Sequence, residues 1–171
     1  RELRGARGWS LNQLTTESGI SRATLSRLEN AEVSPTAEVL GRLCTAYGMT
    51  MSRLMSMVEE GFTPLVRRAE QPVWTDDATG FCRRAVSPPA APLQAEVLEC
   101  SLAAGSEISY DAPPVPGLEH HLILLEGRLS LTVEGNSHLL QAGDCLRYQL
   151  HGDSAFSTPG DCAARYLLVL V

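Results

Sequence analysis

The spacing of apolar residues changes once along this chain of 171 residues, at residues 59–64, EEGFTP. Before that segment, apolar residues recur at helical spacing: Leu11 and Leu14, Leu25 and Leu28, then Val39, Leu40 and Leu43. After it the period falls to two, as in half-buried strands, over 73–75, 81–86, 93–102, 121–125, 128–133, 145–149 and 165–171. Turn signals separate these runs: SPPAAP, AAGS, EGNS, QAGD and TPGD. Helices only, then strands only, predict two domains and not one mixed fold. An all-α domain is expected over residues 1–58, a linker over 59–64 and an all-β domain over 65–171. That many short antiparallel strands in so few residues suggest a sandwich or barrel.

The helical half punctuates itself. Helix one is expected at Arg1–Ala6. Ser10 can cap the second helix, with Gln13 three residues on completing a capping box. Gly19 stands where the chain must turn sharply, and Ile20 reads as a buried anchor. Ser21 then caps a third helix, Arg22–Glu29, with Leu25 and Leu28 on its inner face. Its outer face carries Arg22, Ala23, Thr24, Ser26 and Arg27, with no acidic residue before Glu29. A short helix exposing arginine and small polar groups is what the DNA major groove accepts. Ser34-Pro35 is expected to open a fourth helix, with proline at its first position, running to Tyr47 and ending at Gly48. Thr50 can cap a fifth, Met51–Val58, whose Met51, Leu54, Met55 and Val58 stripe reads as core, the alternative being a partner surface.

The string G-I-S-R-A-T-L-S-R-L-E, followed by S-P-T, resembles the phage-repressor (Xre, Cro/cI-like) helix-turn-helix family, and the likeness covers residues 1–58. It implies a five-helix bundle that binds double-stranded DNA. Arg22, Ala23, Thr24 and Arg27 would face bases, while Ser10, Asn12, Gln13, Ser21 and Ser26 would fix the backbone through phosphate contacts. Two positions depart from the family pattern. Leu11 stands where many relatives carry a phosphate-contacting Gln. Asn30 replaces the usual glycine after the recognition helix, and is expected to take a left-handed cap.

In the second half, PGLEHHLILLEGRLSLTVEGNSHLLQAGDCLRY resembles the cupin family, a small jelly-roll barrel, with turns at Glu126-Gly127 and Gly135 and a strand opening after Gly143-Asp144. Enzymatic cupins hold a divalent metal with three histidines and a carboxylate. Set on Gly127, those positions fall at Pro113, Val115 and His120, with the fourth near Ser154. The resemblance therefore implies neither metal nor other cofactor. His120 and His121 are adjacent and must point to opposite faces of a strand. His120, Leu122 and Leu124 share the face the family pattern turns inward. His151 could approach His120 and form a weak two-imidazole site, the alternative being a histidine that only hydrogen-bonds a ligand or a neighbouring strand. An effector pocket would be lined by His120, Leu122, Tyr148, Ser154, Phe156 and Tyr166, although the aromatic three could equally fill a closed core. Trp74 and the Arg83-Arg84 pair also stand out, either as a carboxylate-binding rim or as ordinary surface ion pairs.

Charge is unevenly divided. Residues 1–57 hold seven Arg and five Glu, a net +2; residues 58–171 hold seven Arg and fifteen acidic groups, a net −8. A DNA-binding half carries the positive side, and the other half repels a polyanion. Five cysteines without CxxC spacing argue against a disulfide framework or zinc ribbon. No apolar run reaches the ~18 residues of a membrane span. The first residues read as charged helix and not as a secretory leader, and the pattern opens in mid-helix, which predicts a short preceding segment. The expectation is a cytoplasmic, homodimeric, non-enzymatic regulator of transcription whose barrel senses a small-molecule effector. The alternatives are a cupin enzyme (isomerase or dioxygenase) with an accessory DNA-binding domain, and an antitoxin-like autoregulator.

Overall fold

The computed structural model describes residues 1–57, 62–113 and 115–171. The chain divides into two units, Arg1–Met55 and Ser56–Val171. Val58 and residues 59–61 of the expected linker lie outside the described residues.

Five helices follow the punctuation of the sequence: α1 (Glu2–Ala6), α2 (Leu11–Ser18), α3 (Arg22–Glu29), α4 (Ala37–Tyr47) and α5 (Met51–Ser56). The Ser10 side chain accepts from the Gln13 N–H at 3.2 Å, and Gln13 Oε1 accepts from the Ser10 N–H at 2.7 Å, so the capping box is closed in both directions. Gly19 takes the left-handed conformation, φ 65°, that lets the chain reverse into α3. Leu14, Ile20, Leu25, Cys44, Tyr47 and Met49 are buried, and Trp9 stacks on Tyr47 with ring centroids 5.6 Å apart. Arg4 holds Glu29 with two charge-assisted bonds of 2.7 and 2.8 Å, tying α1 to the last turn of α3.

Three expectations in this unit are corrected. Proline does not open α4: Thr36 is the cap, accepting from the Val39 N–H at 3.3 Å, and Pro35 lies before it. A threonine hydroxyl satisfies an orphan N–H, which the proline position alone does not do. Asn30 is not left-handed (φ −92°); the following Ala31 takes the positive φ of 57° instead. The reversal after α3 is thus displaced by one residue, and an alanine carries its strain. Met51 and Met55 are more than a third exposed, so the methionine stripe of α5 is not core.

In the second unit a short 3-10 turn (Arg68–Glu70) precedes nine strands, so this half is not strands alone. The strands are β1 (Val73–Asp76), β2 (Phe81–Ser87), β3 (Glu96–Leu102), β4 (Glu107–Tyr110), β5 (Leu118–Val133), β6 (Asn136–Gln141), β7 (Cys145–Leu150), β8 (Ser154–Ser157) and β9 (Ala164–Leu170). All pair antiparallel. β5 is the spine: its first part lies between β9 and β7, its second part between β8 and β6. One layer therefore runs β1-β2-β3-β9-β5-β7, and the other β6-β5-β8-β4, in a curled cupin-like jelly roll.

The two strands expected at 121–125 and 128–133 are one strand with a bulge. Pairing to β9 shifts between Leu124 and Glu126, leaving Leu125 as the extra residue. Burial changes phase at that point: His120, Leu122 and Leu124 are buried before it, Leu129, Leu131 and Val133 after it. The extra residue lets one strand keep its inner side chains inward while it passes between layers. Gly127 (φ 85°) makes the passage possible, since a Cβ there would collide with the Ala163 carbonyl oxygen. The core between the layers is Phe81, Cys100, Leu102, Leu122, Leu124, Leu129, Leu131, Val133, Leu140, Leu150, Phe156, Ala164 and Tyr166.

Candidate nucleic-acid interface and barrel site

At ~100° per residue, Leu25 and Leu28 point one way from α3 while Ala23, Ser26 and Arg27 point the other. Exposure agrees: Arg22, Ala23 and Arg27 are exposed, Thr24 and Ser26 half-buried, Leu25 buried. Ser21 caps the helix by accepting from the Thr24 N–H at 3.2 Å, and its hydroxyl also meets that of Thr24 at 2.8 Å. Arg27 has only a loose contact with Glu32, 3.9 Å, both side chains being more than half exposed. Such a contact contributes little and leaves the guanidinium available. Glu29, the acid on α3, is turned away to Arg4, whose hydrogen bonds hold its carboxyl below the ordinary range. The outer face of the helix is thereby kept free of negative charge. Ser10 and Gln13 spend hydrogen-bonding capacity on each other, leaving the Gln13 amide nitrogen and the exposed Asn12 to project from the start of α2. Sequence reasoning did not find the Arg4–Glu29 pair; an arginine in α1 and an acid 25 residues later leave no local pattern.

The six barrel candidates fall into two groups. His120 on β5 is register partner to Tyr148 on β7. His120 Nδ1 lies 3.1 Å from the Tyr148 hydroxyl, and the rings meet edge-on at 5.0 Å. Burial pulls the His120 imidazole down to about 4, so it is neutral near pH 7, and burial raises the Tyr148 hydroxyl above its ordinary range. The second group joins the layers. Phe156 on β8 stacks on Tyr166 of β9 at 6.0 Å, and Ser154 is buried two residues from Phe156. Leu122 lies between the groups with no exposed surface. Leu122, Phe156 and Tyr166 thus belong to the packed core, while the His120–Tyr148 pair adds polar groups at one end. Tyr110, on the unforeseen strand β4, packs edge-on against Phe156 at 6.3 Å and belongs to the same cluster.

The donor set does not fit the cupin metal. Val115 is buried apolar surface, Pro113 has no donor side chain, and His120 Nδ1 is engaged by Tyr148. His151 is exposed, with its ring against Gly117 and its backbone N–H donating to Glu134 at 2.8 Å, and is not brought to His120 by any contact described. His121 faces outward and meets Glu119 at 2.6 Å. Among the described residues, no group of three or more His, Cys, Asp or Glu converges. Of the two readings of the Arg83-Arg84 pair, that of surface ion pairs is not met: neither arginine meets a carboxylate among the described residues. Arg83 lies over the Trp74 ring at 5.8 Å, and Arg84 donates to the Arg68 carbonyl at 3.4 Å.

Comparison with known proteins finds relatives that span both halves. Residues 1–54 match a helix-turn-helix domain family. Over 148 residues, 86% of this chain and 78% of the relative, the sequence is 29% identical to the HTH-type transcriptional regulator SutR of Escherichia coli (strain K12). An HTH_3 family transcriptional regulator from Vibrio cholerae has the same fold at 20% identity, with a TM-score of 0.54, covering 99% of this chain and 90% of that one. The iron(II) form of HppE has it at 17% identity, with a TM-score of 0.56, covering 99% and 94%. Both structural likenesses concern the fold alone. No helix among the described residues is long and apolar enough to cross a membrane.

Proposed function

We propose that the chain, whose residues 1–54 match a helix-turn-helix domain family, is an XRE-type transcriptional regulator with a cupin-like domain that reads an operator through α3 and responds to a small molecule held in the barrel. The observation that carries the DNA reading is the outer face of α3, where Arg22, Ala23 and Arg27 are exposed and Glu29 is withdrawn to Arg4. Arg22, Ala23, Thr24 and Arg27 face bases; Ser10, Asn12, Gln13, Ser21 and Ser26 set the backbone register. Two heads act together in a homodimer formed through residues 65–171, because one head with a net charge of +2 is too weak to compete with bulk DNA. A two-fold dimer places the heads on half-sites about 34–36 Å apart or a multiple of that. The setting is cytoplasmic. Effector binding changes the relative stability of DNA-competent and DNA-incompetent states, and so the operator affinity.

The barrel is read as a sensor and not as a metalloenzyme, because Pro113, Val115 and Ser154 stand at ligand positions. No catalytic step is assigned to it. The test of the DNA reading is a footprint over the gene's own promoter region, followed by titration with Arg27→Ala. Loss of a direct arginine contact should weaken operator binding by about 1–3 kcal/mol while leaving the unfolding profile intact. A folded variant binding as tightly as the parent would show that α3 is not the reading element.

A further inference from the structure

Cross-strand partners share a face, and one row of partners crosses the larger layer from its centre to its edge: Leu124, Tyr166, Cys100, Arg83 and Trp74. Leu124, Tyr166 and Cys100 are buried in the core, so this is the inner face. Arg83 therefore stands on the inner-face side of β2, opposite to Arg84, but near the edge of the layer, where its side chain is exposed to solvent. Trp74 fixes its direction: the indole packs edge-on against the buried Phe81 at 6.0 Å, and the guanidinium lies over the indole. Tyr110 stands on the opposite layer, packed edge-on against Phe156. Arg83 is near enough to feel Tyr110 and Cys100. Burial raises the Tyr110 hydroxyl and pushes the Cys100 thiol up to about 12, and the Arg83 charge opposes both.

Among the described residues the guanidinium has no counter-ion. Arg68, Arg128 and Arg165 of the same unit each hold a carboxylate, whereas none lies within ion-pair distance of Arg83 among the described residues. Asp76, the acid on the neighbouring strand, already accepts from the Ala78 N–H at 3.1 Å and the Thr79 hydroxyl at 2.7 Å. Beside Arg83 on the inner face, the next row carries Leu98 and Leu168, only partly buried, with Ile108 likewise partly buried on β4. A cation at the edge of the layer and partly buried apolar side chains beside it match the two ends of one ligand.

We propose that Arg83, oriented by Trp74 and faced by Tyr110, is the anion-recognition element of the barrel, and that the effector is a small monocarboxylate with an apolar or aromatic body. This rests on the reading of the barrel as an effector site. The planar guanidinium matches a carboxylate bidentately. One arginine at the site, within a half whose net charge is −8, favours a monoanion over a dianion such as a phosphate monoester. The body of the ligand covers Leu98, Leu168 and Ile108, completing the wall.

The test uses the full chain with Trp9→Phe, which leaves Trp74 as the sole tryptophan. Trp74 fluorescence and Tm are followed on titration with phenylacetate and 4-methylpentanoate, with their amides, and with benzylphosphonate. The carboxylates should saturate and raise Tm, and the amides should bind about 10- to 100-fold more weakly. Arg83→Gln should bring the carboxylates down to the level of the amides, and Arg84→Gln should not. Equal binding of acid and amide, or carboxylate binding indifferent to Arg83→Gln, overturns the proposal while leaving the barrel a ligand site. Tighter binding of the phosphonate overturns the ligand class. Absence of binding by every probe also overturns it. A neutral metabolite that raises Tm in the parent but not in Tyr148→Phe would then leave the sensor reading standing.

Discussion

The buried imidazole of His120 gives the barrel a pH dependence whose sign and size follow from its surroundings. In the unfolded chain a histidine takes up a proton near 6.5. In the folded barrel the ring is 8% exposed, bonded to the Tyr148 hydroxyl, and protonates only near 4. Between those values the unfolded state binds more protons, so folding weakens as the pH falls through that window. The loss should reach about 1 kcal/mol near pH 5.5 and about 3 kcal/mol near pH 4, and then level off. Glu96 is a second acid-base group on the row of His120, beyond Leu170. The measurement is therefore a difference: urea unfolding across this range for the parent chain and for His120→Gln. The variant is expected to be less stable at neutral pH but to lose less stability on acidification. Parallel pH profiles, or a native imidazole titrating near 6.5 by NMR, would show that the ring is wetter than its packing indicates.

Other perturbations address the remaining features. Gly127→Ala should destabilise the β unit by at least about 1–3 kcal/mol, because a positive φ and a backbone collision coincide; an unchanged denaturation midpoint would refute the account of the bulge. Glu29→Gln should remove part of the acid sensitivity of the helical unit: the Glu29 carboxyl is held below its ordinary range, so its stabilisation is present above that range and lost as pH falls through the folded value. Comparing acid melts of parent and variant tests this. Elemental analysis should find no stoichiometric transition metal; zinc, nickel or iron lost together with stability in His120→Ala would revive the enzyme reading. Sedimentation of the full chain should give a dimer at micromolar concentration, and a monomer would remove the basis for a palindromic site.

The helical unit was the more legible half because its signals are local. Ser10, Gln13, Gly19 and Ser21 act within four residues of themselves, and each does what its position in the sequence implies. Errors arose where two local solutions compete, as at Pro35 against Thr36, or Asn30 against Ala31. In the barrel, alternation identified the long strands but not β4, β6 or β8. Two of these have four residues, too few to establish a period, and NSHLLQ places adjacent leucines on opposite faces. The bulge at Leu125 imitates a turn because a change of phase looks the same as a break between strands. Of the candidate pocket, the inner face of β5 was readable from His120, Leu122 and Leu124. Tyr110 was not, since its strand was not, and neither was the direction of Arg83, which depends on register across several strands.

β5 is hydrogen-bonded into both layers along a single backbone, and this constrains how the barrel can transmit a bound molecule. Sliding one layer over the other would tear pairs from β6, β7, β8 or β9 at once, so shear between the layers is a stiff coordinate. Compliance is confined to strands that never pair with β5. Among these, β1 and β2 form one flap and β4 another, each anchored on one side only. Trp74 and Arg83 ride on the first and Tyr110 on the second. A molecule drawn into the mouth would pinch the two flaps together around a frame that does not move, so the mechanical signal should leave the domain by way of β1 and the chain that precedes it.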